Sequence, residues 1–180
     1  MYKIEIQKES IINLETDAIV NAANSGLQAG GGVCGAIFQA AGYEKLQEAC
    51  DAIGHCDTGS AVITPGFDLK AKYVIHAVGP IYRDGQHKER ESLYLAYRNS
   101  LELALSNGCR SIGFPLISAG IYGYPVEEAW DVALEACMDF VMVKADHSME
   151  IIFSVLDDRI LKIGEKALDK AHEKLKMGAE

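Results

Sequence analysis

Residues 17–38 read Asp17-Ala18-Ile19-Val20-Asn21-Ala22-Ala23-Asn24-Ser25-Gly26-Leu27-Gln28-Ala29-Gly30-Gly31-Gly32-Val33-Cys34-Gly35-Ala36-Ile37-Phe38. A β-type run, Asp17–Val20, feeds two asparagines, then three consecutive glycines, then Val33-Cys34-Gly35-Ala36-Ile37-Phe38, which can open a helix. Glycine lacks Cβ, so a ligand can approach its backbone closely. A helix starting straight after the glycines aims unpaired N–H groups, carrying partial positive charge, at whatever lies in front. Strand, glycine loop and helix start together make an α/β unit with a place for phosphate or another anion.

The same alternation continues outward. Strands are expected at Tyr2–Gln7, Asp17–Asn21, Ser60–Thr64, Lys72–Val78, Ser111–Pro115 and Glu150–Leu156. Ala18-Ile19-Val20, Tyr73-Val74-Ile75 and Ile151-Ile152-Phe153 are apolar without alternation, as in central strands covered on both faces. Tyr2–Gln7 is expected to add an antiparallel edge strand. After Tyr124, Pro125 suits a first helical turn, and Glu127 and Glu128 suit its positive end. Val126, Ala129, Trp130, Ala133, Leu134, Cys137, Met138 and Val141 then form an i, i+3, i+4 stripe. Leu93, Tyr94, Tyr97, Leu101, Ala104 and Leu105 form a second, closed by Asn107-Gly108; Ile160, Ile163, Ala167, Leu168, Ala171 and Leu175 form a third. One-sided helices alternating with two-sided strands give a three-layer α/β/α sandwich around a mixed sheet of about six or seven strands.

The 180 residues fit one domain, 1–180, with no linker or repeat. A hydrophobic share of 49% and a charged share of 24% are ordinary for a soluble globular protein. A net charge of −9 argues against nucleic acid as a partner, since backbone-phosphate binding needs clustered Lys and Arg. One nucleotide held by main-chain amides is compatible with that charge. No apolar run approaches the ~18 residues a membrane helix needs, and the amino terminus has no apolar signal core. A cytoplasmic protein with no membrane partner is expected. Five cysteines without a Cys-x-x-Cys pair suggest neither a disulfide framework nor a zinc ribbon, so no metal and no cofactor are expected.

Gly30-Gly31-Gly32-Val33-Cys34-Gly35 satisfies G-x-G-x-x-G, but nine residues separate Val20 from Gly30, and Ser60–Thr64 lacks a terminal acid for a ribose. A Rossmann site is therefore rejected. Walker A fails because no Gly-Lys-Ser/Thr follows. A second loop, Pro115-Leu116-Ile117-Ser118-Ala119-Gly120-Ile121-Tyr122-Gly123-Tyr124-Pro125, also runs from a strand end to a helix start. Two such loops facing each other can clamp a diphosphate.

On Asp17-Ala18-Ile19-Val20-Asn21-Ala22-Ala23-Asn24, Gly30-Gly31-Gly32-Val33, Tyr73-Val74-Ile75-His76-Ala77-Val78-Gly79-Pro80 and Ser118-Ala119-Gly120-Ile121-Tyr122-Gly123-Tyr124-Pro125, the chain resembles the macrodomain family, most closely its MacroD-like branch. The resemblance implies a cleft for ADP-ribose. Its diphosphate would lie between the Gly30-Gly31-Gly32-Val33 loop and the Ser118-Ala119-Gly120-Ile121-Tyr122 loop, its distal ribose at Ala23 and Asn24 under Tyr122, and its adenine near Ser10, Ile11 and Leu156. Some members of the family hydrolyse ADP-ribose esters or remove ADP-ribose from proteins, and others only bind.

The departures matter as much. Cys34 and Phe38 stand where MacroD-like hydrolases usually carry an Asp and a His; Glu9-Ser10-Ile11 replaces Gly-Asp-Ile, and Leu156 replaces an adenine-stacking aromatic. The lost stacking is worth ~1 kcal/mol and the lost charged hydrogen bond roughly 1.5–3 kcal/mol, together about two orders of magnitude in affinity. Cys34 reads as a packed thiol or as a reactive one at a helix start, and packing is favoured because a bound diphosphate opposes a thiolate. His76 reads as a hydrogen-bonded core residue. Ser118 has no recognisable His–Asp pair. Asn24 is the tentative catalytic residue, and Cys34 occupies the position of the family Asp. Three functions stay open: an ADP-ribose ester hydrolase, also able to act on an ADP-ribosylated protein; a reader without turnover; or a binder of another phosphorylated nucleotide.

Overall fold

A computed structural model describes residues 2–144 and 146–178. Six strands, β1 (Tyr2–Lys8), β2 (Ala18–Ala22), β3 (Ala61–Pro65), β4 (Tyr73–Ala77), β5 (Ser111–Phe114) and β6 (Met149–Val155), form one sheet in the order β1-β6-β5-β2-β4-β3. Each lies within about one residue of its expected place. The sheet is mixed, but its antiparallel member is β3, paired with β4. The expectation of an antiparallel β1 is corrected: β1 sits at the edge but runs parallel to β6, Tyr2 opposite Met149 through Lys8 opposite Val155. Alternation in a single strand reports which faces are buried and carries no information on direction.

Among the described residues five α-helices flank the sheet: α1 (Gly32–Ala41), α2 (Tyr43–Ile53), α3 (Glu89–Ser106), α4 (Val126–Val143) and α5 (Asp158–Gly178). On one face α1 and α2 bury Ile37, Phe38, Leu46 and Cys50 against Ile19, Val74 and Ile152. On the other, α3 and α4 bury Leu93, Tyr97, Leu101, Trp130 and Phe140 against Val20, Ile75, Ile112 and Phe153. β2, β4 and β6 thus present alternate residues to two separate cores, which explains their unbroken apolar runs. Helix α5 joins the second face, where Trp130 Nε1 donates to Ile160 O at 3.0 Å.

Local signals fall within one residue of their expected places, Pro125 standing just ahead of the helix instead of in its first turn. Pro125 precedes the first residue of α4 as its N-cap, and Asn107 is the C-cap of α3, followed by Gly108 at φ 76°. Helix α2 lies between Gly42 and Gly54, both at positive φ, and the periodicity argument did not reach it. Its signal was a short apolar pair, Leu46 and Cys50, bracketed by those glycines.

Candidate functional site

β1, β6, β5, β2 and β4 are mutually parallel, so their carboxyl ends share one edge, with β2 lying between β5 and β4. The segments leaving them emerge side by side, where open α/β sheets receive ligands.

The segment after β2 begins with Ala23, whose N–H still bonds Ala77 O at 2.9 Å. Asn24 then turns the chain. Its Nδ2 donates to Gln28 O at 2.8 Å, and its Oδ1 accepts from Gln28 N–H at 3.0 Å. A carboxamide has two N–H donors and two acceptor lone pairs, so one of each is left facing away from Gln28. Beyond it, Gly30, Gly31, Gly32 and Val33 are exposed. Helix α1 starts at Gly32 with Gly31 as N-cap, no side chain caps it, and its first turn holds no acid. The first turns of the other four helices all hold one: Glu44, Glu89 with Glu91, Glu127 with Glu128, and Asp158. The N–H groups ahead of Gly35 have no intrahelical partner, and no acid in the first turn of α1 offsets its positive end.

The segment after β5 is braced from below. Tyr97 accepts from Ile117 N–H at 2.9 Å and donates to Pro115 O at 3.3 Å. Ser118, buried and at φ 67°, donates its Oγ to Pro80 O at 2.8 Å. A Cβ on Gly79 would stand 2.3 Å from that Oγ, so the approach needs glycine. Tyr124 N–H bonds Ser118 O at 2.9 Å, Gly123 N–H bonds Gly120 O at 3.0 Å, and Tyr82 N–H bonds Tyr122 O at 2.8 Å. Ala119, Gly120, Ile121 and Tyr122 are left as a projecting turn, with Ile121 98% exposed. The Ser118 hydroxyl is thus engaged with Pro80. Gly30, Gly31 and Gly120 have no positive φ, and a Cβ on any of them would meet nothing within 4 Å. No feature of the chain's own packing requires glycine there; bare, outward-facing backbone is what those positions supply.

The far end of the edge is plainer. The pairing of Lys8 with Val155 makes the segments bearing Ser10 and Leu156 leave the sheet from paired strand ends. Ser10 makes no side-chain capping bond, and Glu9 folds back to accept from Ser10 N–H at 2.8 Å and Asn13 Nδ2 at 3.0 Å. Leu156 is 67% exposed, whereas Ile11 is buried in the core on the α1 side.

Below the glycine loop, Cys34 is buried with Sγ 3.8 Å from Gln28 O. His76 is fully buried between Asn21 Nδ2 at 3.1 Å and Thr64 Oγ1 at 2.9 Å, and burial pushes its pKa down to about 4. It is a neutral core residue, as expected. Burial likewise raises the Cys50 thiol to about 11, helped by Cys34 and Asp51 nearby. Neither is a poised base.

A separate hollow of about 410 Å³ is lined by Tyr82, Gly85, Arg90, Tyr124, Glu128, Asp131 and Val132. Its carboxylates make it a poor seat for a diphosphate. Asp84, His87 and Glu89 bring ligand atoms within 4.8 Å of one another. Burial pushes the Glu89 carboxyl up, but N–H bonds from Arg83, Gly85, Asp84 and His87 outweigh it and hold the pKa at about 2. Those same bonds occupy the lone pairs a cation would need. Among the described residues, no helix is long and apolar enough to cross a membrane.

A parallel sheet edge that carries a glycine loop beside a second, braced turn defines an α/β protein of open-sheet type. The Macro domain family model matches residues 20–133, and the chain belongs to the macrodomain family. A macro domain-containing protein of Chlorobaculum tepidum is 51% identical over 162 residues, covering 89% of this chain and 92% of that protein. An O-acetyl-ADP-ribose deacetylase of Salmonella typhimurium is 52% identical over 143 residues, covering 77% of this chain and 79% of that protein. The Oceanobacillus iheyensis macrodomain, solved with ADP, superimposes with a TM-score of 0.88 at 38% identity, over 94% of this chain and 91% of that one.

Proposed function

We propose that this protein binds ADP-ribose and hydrolyses an ester on its distal ribose, acting as an O-acetyl-ADP-ribose deacetylase, with ADP-ribosylated protein as a second substrate. One observation carries the reading: the acid-free start of α1 and the projecting 119–122 turn leave adjacent parallel strands, with Asn24 preset beside them. The relative from Salmonella typhimurium supports the choice of ester.

In this reading the main-chain N–H groups of Gly30–Cys34 and of Gly120–Tyr122 hold the diphosphate, and the free N–H and lone pair of Asn24 orient the distal ribose. Water adds to the acetyl carbonyl carbon; the carbon–oxygen bond to ribose then breaks, the ribose oxygen takes the proton, and acetate leaves. Cys34 offers no carboxylate to activate that water. Catalysis then rests on positioning and on electrostatic stabilisation by fixed dipoles, with the substrate's phosphate as the nearest base.

The buried thiol at position 34 favours a second reading, a binder without turnover. Turnover of O-acetyl-ADP-ribose and calorimetric titration with ADP-ribose, for wild type and Asn24→Ala, separate the two. Wild-type turnover that falls at least tenfold in Asn24→Ala supports the hydrolase. Binding without product leaves the reader, and neither binding nor turnover removes both.

A further inference from the structure

The contacts around Asn24 continue into α2. We propose that Gln47 and Asp51 are positioning residues that lock the segment after β2 in its ligand-receiving form; the inference rests on the reading of Asn24 as a ribose contact. Gln47 is half-buried on α2, and its carboxamide spans the loop as a neighbouring strand would. Its Oε1 accepts from Ala29 N–H at 2.9 Å and its Nε2 donates to Leu27 O at 3.1 Å. The second Nε2 hydrogen goes to Asp51 Oδ1 at 2.9 Å, one turn along the same helix face. That carboxylate oxygen also accepts from Gln28 Nε2 at 3.2 Å, while Gln28 Nε2 reaches Gly26 O at 3.1 Å. Gln28 in turn holds both polar atoms of Asn24 through its main chain.

The locked conformation is not one the segment would take unaided. Leu27 sits at φ 55°, a left-handed setting that γ-branched side chains rarely adopt, with its side chain fully buried. Gln47 grips the carbonyl of that same residue and the amide two positions on. Removing the grip frees Leu27 to relax, and with it the Gln28 main chain that orients Asn24. Gln28 and Asp51 are exposed, so the network adds little to global stability, and its effect concentrates on the loop it holds.

The test compares wild type, Gln47→Ala, Gln47→Glu, the double variant Gln47→Glu with Asp51→Asn, and Glu48→Ala as a control on the exposed side of α2. Three quantities are read: amide exchange at Ala29, affinity for ADP-ribose, and Tm. Gln47→Ala should speed Ala29 exchange and weaken ADP-ribose about tenfold, equivalent to ~1.4 kcal/mol, with Tm held within ~2 °C. Gln47→Glu keeps the acceptor for Ala29 but sets a carboxylate against both Leu27 O and Asp51; Asp51→Asn relieves the second clash and should recover only part of the loss, because Leu27 O still lacks its donor. Wild-type affinity in Gln47→Ala, unchanged Ala29 exchange, or a double variant no better than Gln47→Glu would overturn the inference. If wild type itself does not bind ADP-ribose, the functional reading falls by itself. Ala29 exchange then still decides: faster in Gln47→Ala and not in Glu48→Ala supports the lock, and equal rates refute it.

Discussion

Gly35→Ala sets two physical effects against each other at one atom. Gly35 lies inside α1, where alanine is favoured over glycine by ~1 kcal/mol of helix propensity. Propensity alone therefore predicts a more stable protein with unaltered binding. The geometry predicts otherwise: a Cβ there would stand 2.5 Å from Gly30 O, whereas ordinary contact begins at 3.4 Å, a shortfall of 0.9 Å. The obstacle is backbone and cannot rotate away, so the peptide of Gly30 has to shift. That peptide belongs to an exposed loop, which can yield without disturbing the core, and the propensity gain offsets part of the cost. Tm should change by no more than ~3 °C either way. The proposed diphosphate grip is less tolerant, because misaligning a hydrogen bond to a charged group costs roughly 1.5–3 kcal/mol. Affinity for ADP-ribose, measured by calorimetric titration beside a thermal melt, should fall tenfold to about a hundredfold. An affinity within about twofold of wild type, alongside a raised Tm, would show that the Gly30 carbonyl lies outside the ligand grip and refute the reasoning.

His76 gives a stability prediction with a defined pH window. Burial lowers its pKa from 6.5 to about 4, so above 6.5 it is neutral in both states. Between 6.5 and about 4 only the unfolded chain takes the proton, and stability falls as the pH drops, by ~3 kcal/mol across the window. Urea denaturation of wild type and His76→Gln over that range should show the extra loss in wild type alone; parallel curves contradict it. At the other end of the cleft, Ser10→Asp replaces a hydroxyl with a charged acceptor and should tighten ADP-ribose at least tenfold. An unchanged titration would mean that position 10 does not read the base.

Most of the scaffold was legible because its signals are local. A run such as Ala18-Ile19-Val20 has to be covered on both sides wherever it lies, and the Trp130 stripe has to face a core whatever the sheet order. The direction of β1 was not legible, since its partner β6 begins 147 residues later and antiparallel and parallel edges carry the same alternation. Helix α2 escaped because only Leu46 and Cys50 mark its buried side, too few to establish a period. Ser118 was legible as a loop residue; that its hydroxyl is directed to Pro80, 38 residues upstream, was not.

Read by itself, the chain determined the layers, the two glycine-bearing loops and the donors they carry, because strand, turn and helix-start chemistry depend on neighbouring residues. Only the tertiary structure decided that β2 lies against β5, which sets those loops beside one another, and that Gln47 reaches across from α2 to hold the loop bearing Asn24. Such pairings join residues far apart in sequence, and they are settled by how sheet and helices pack together.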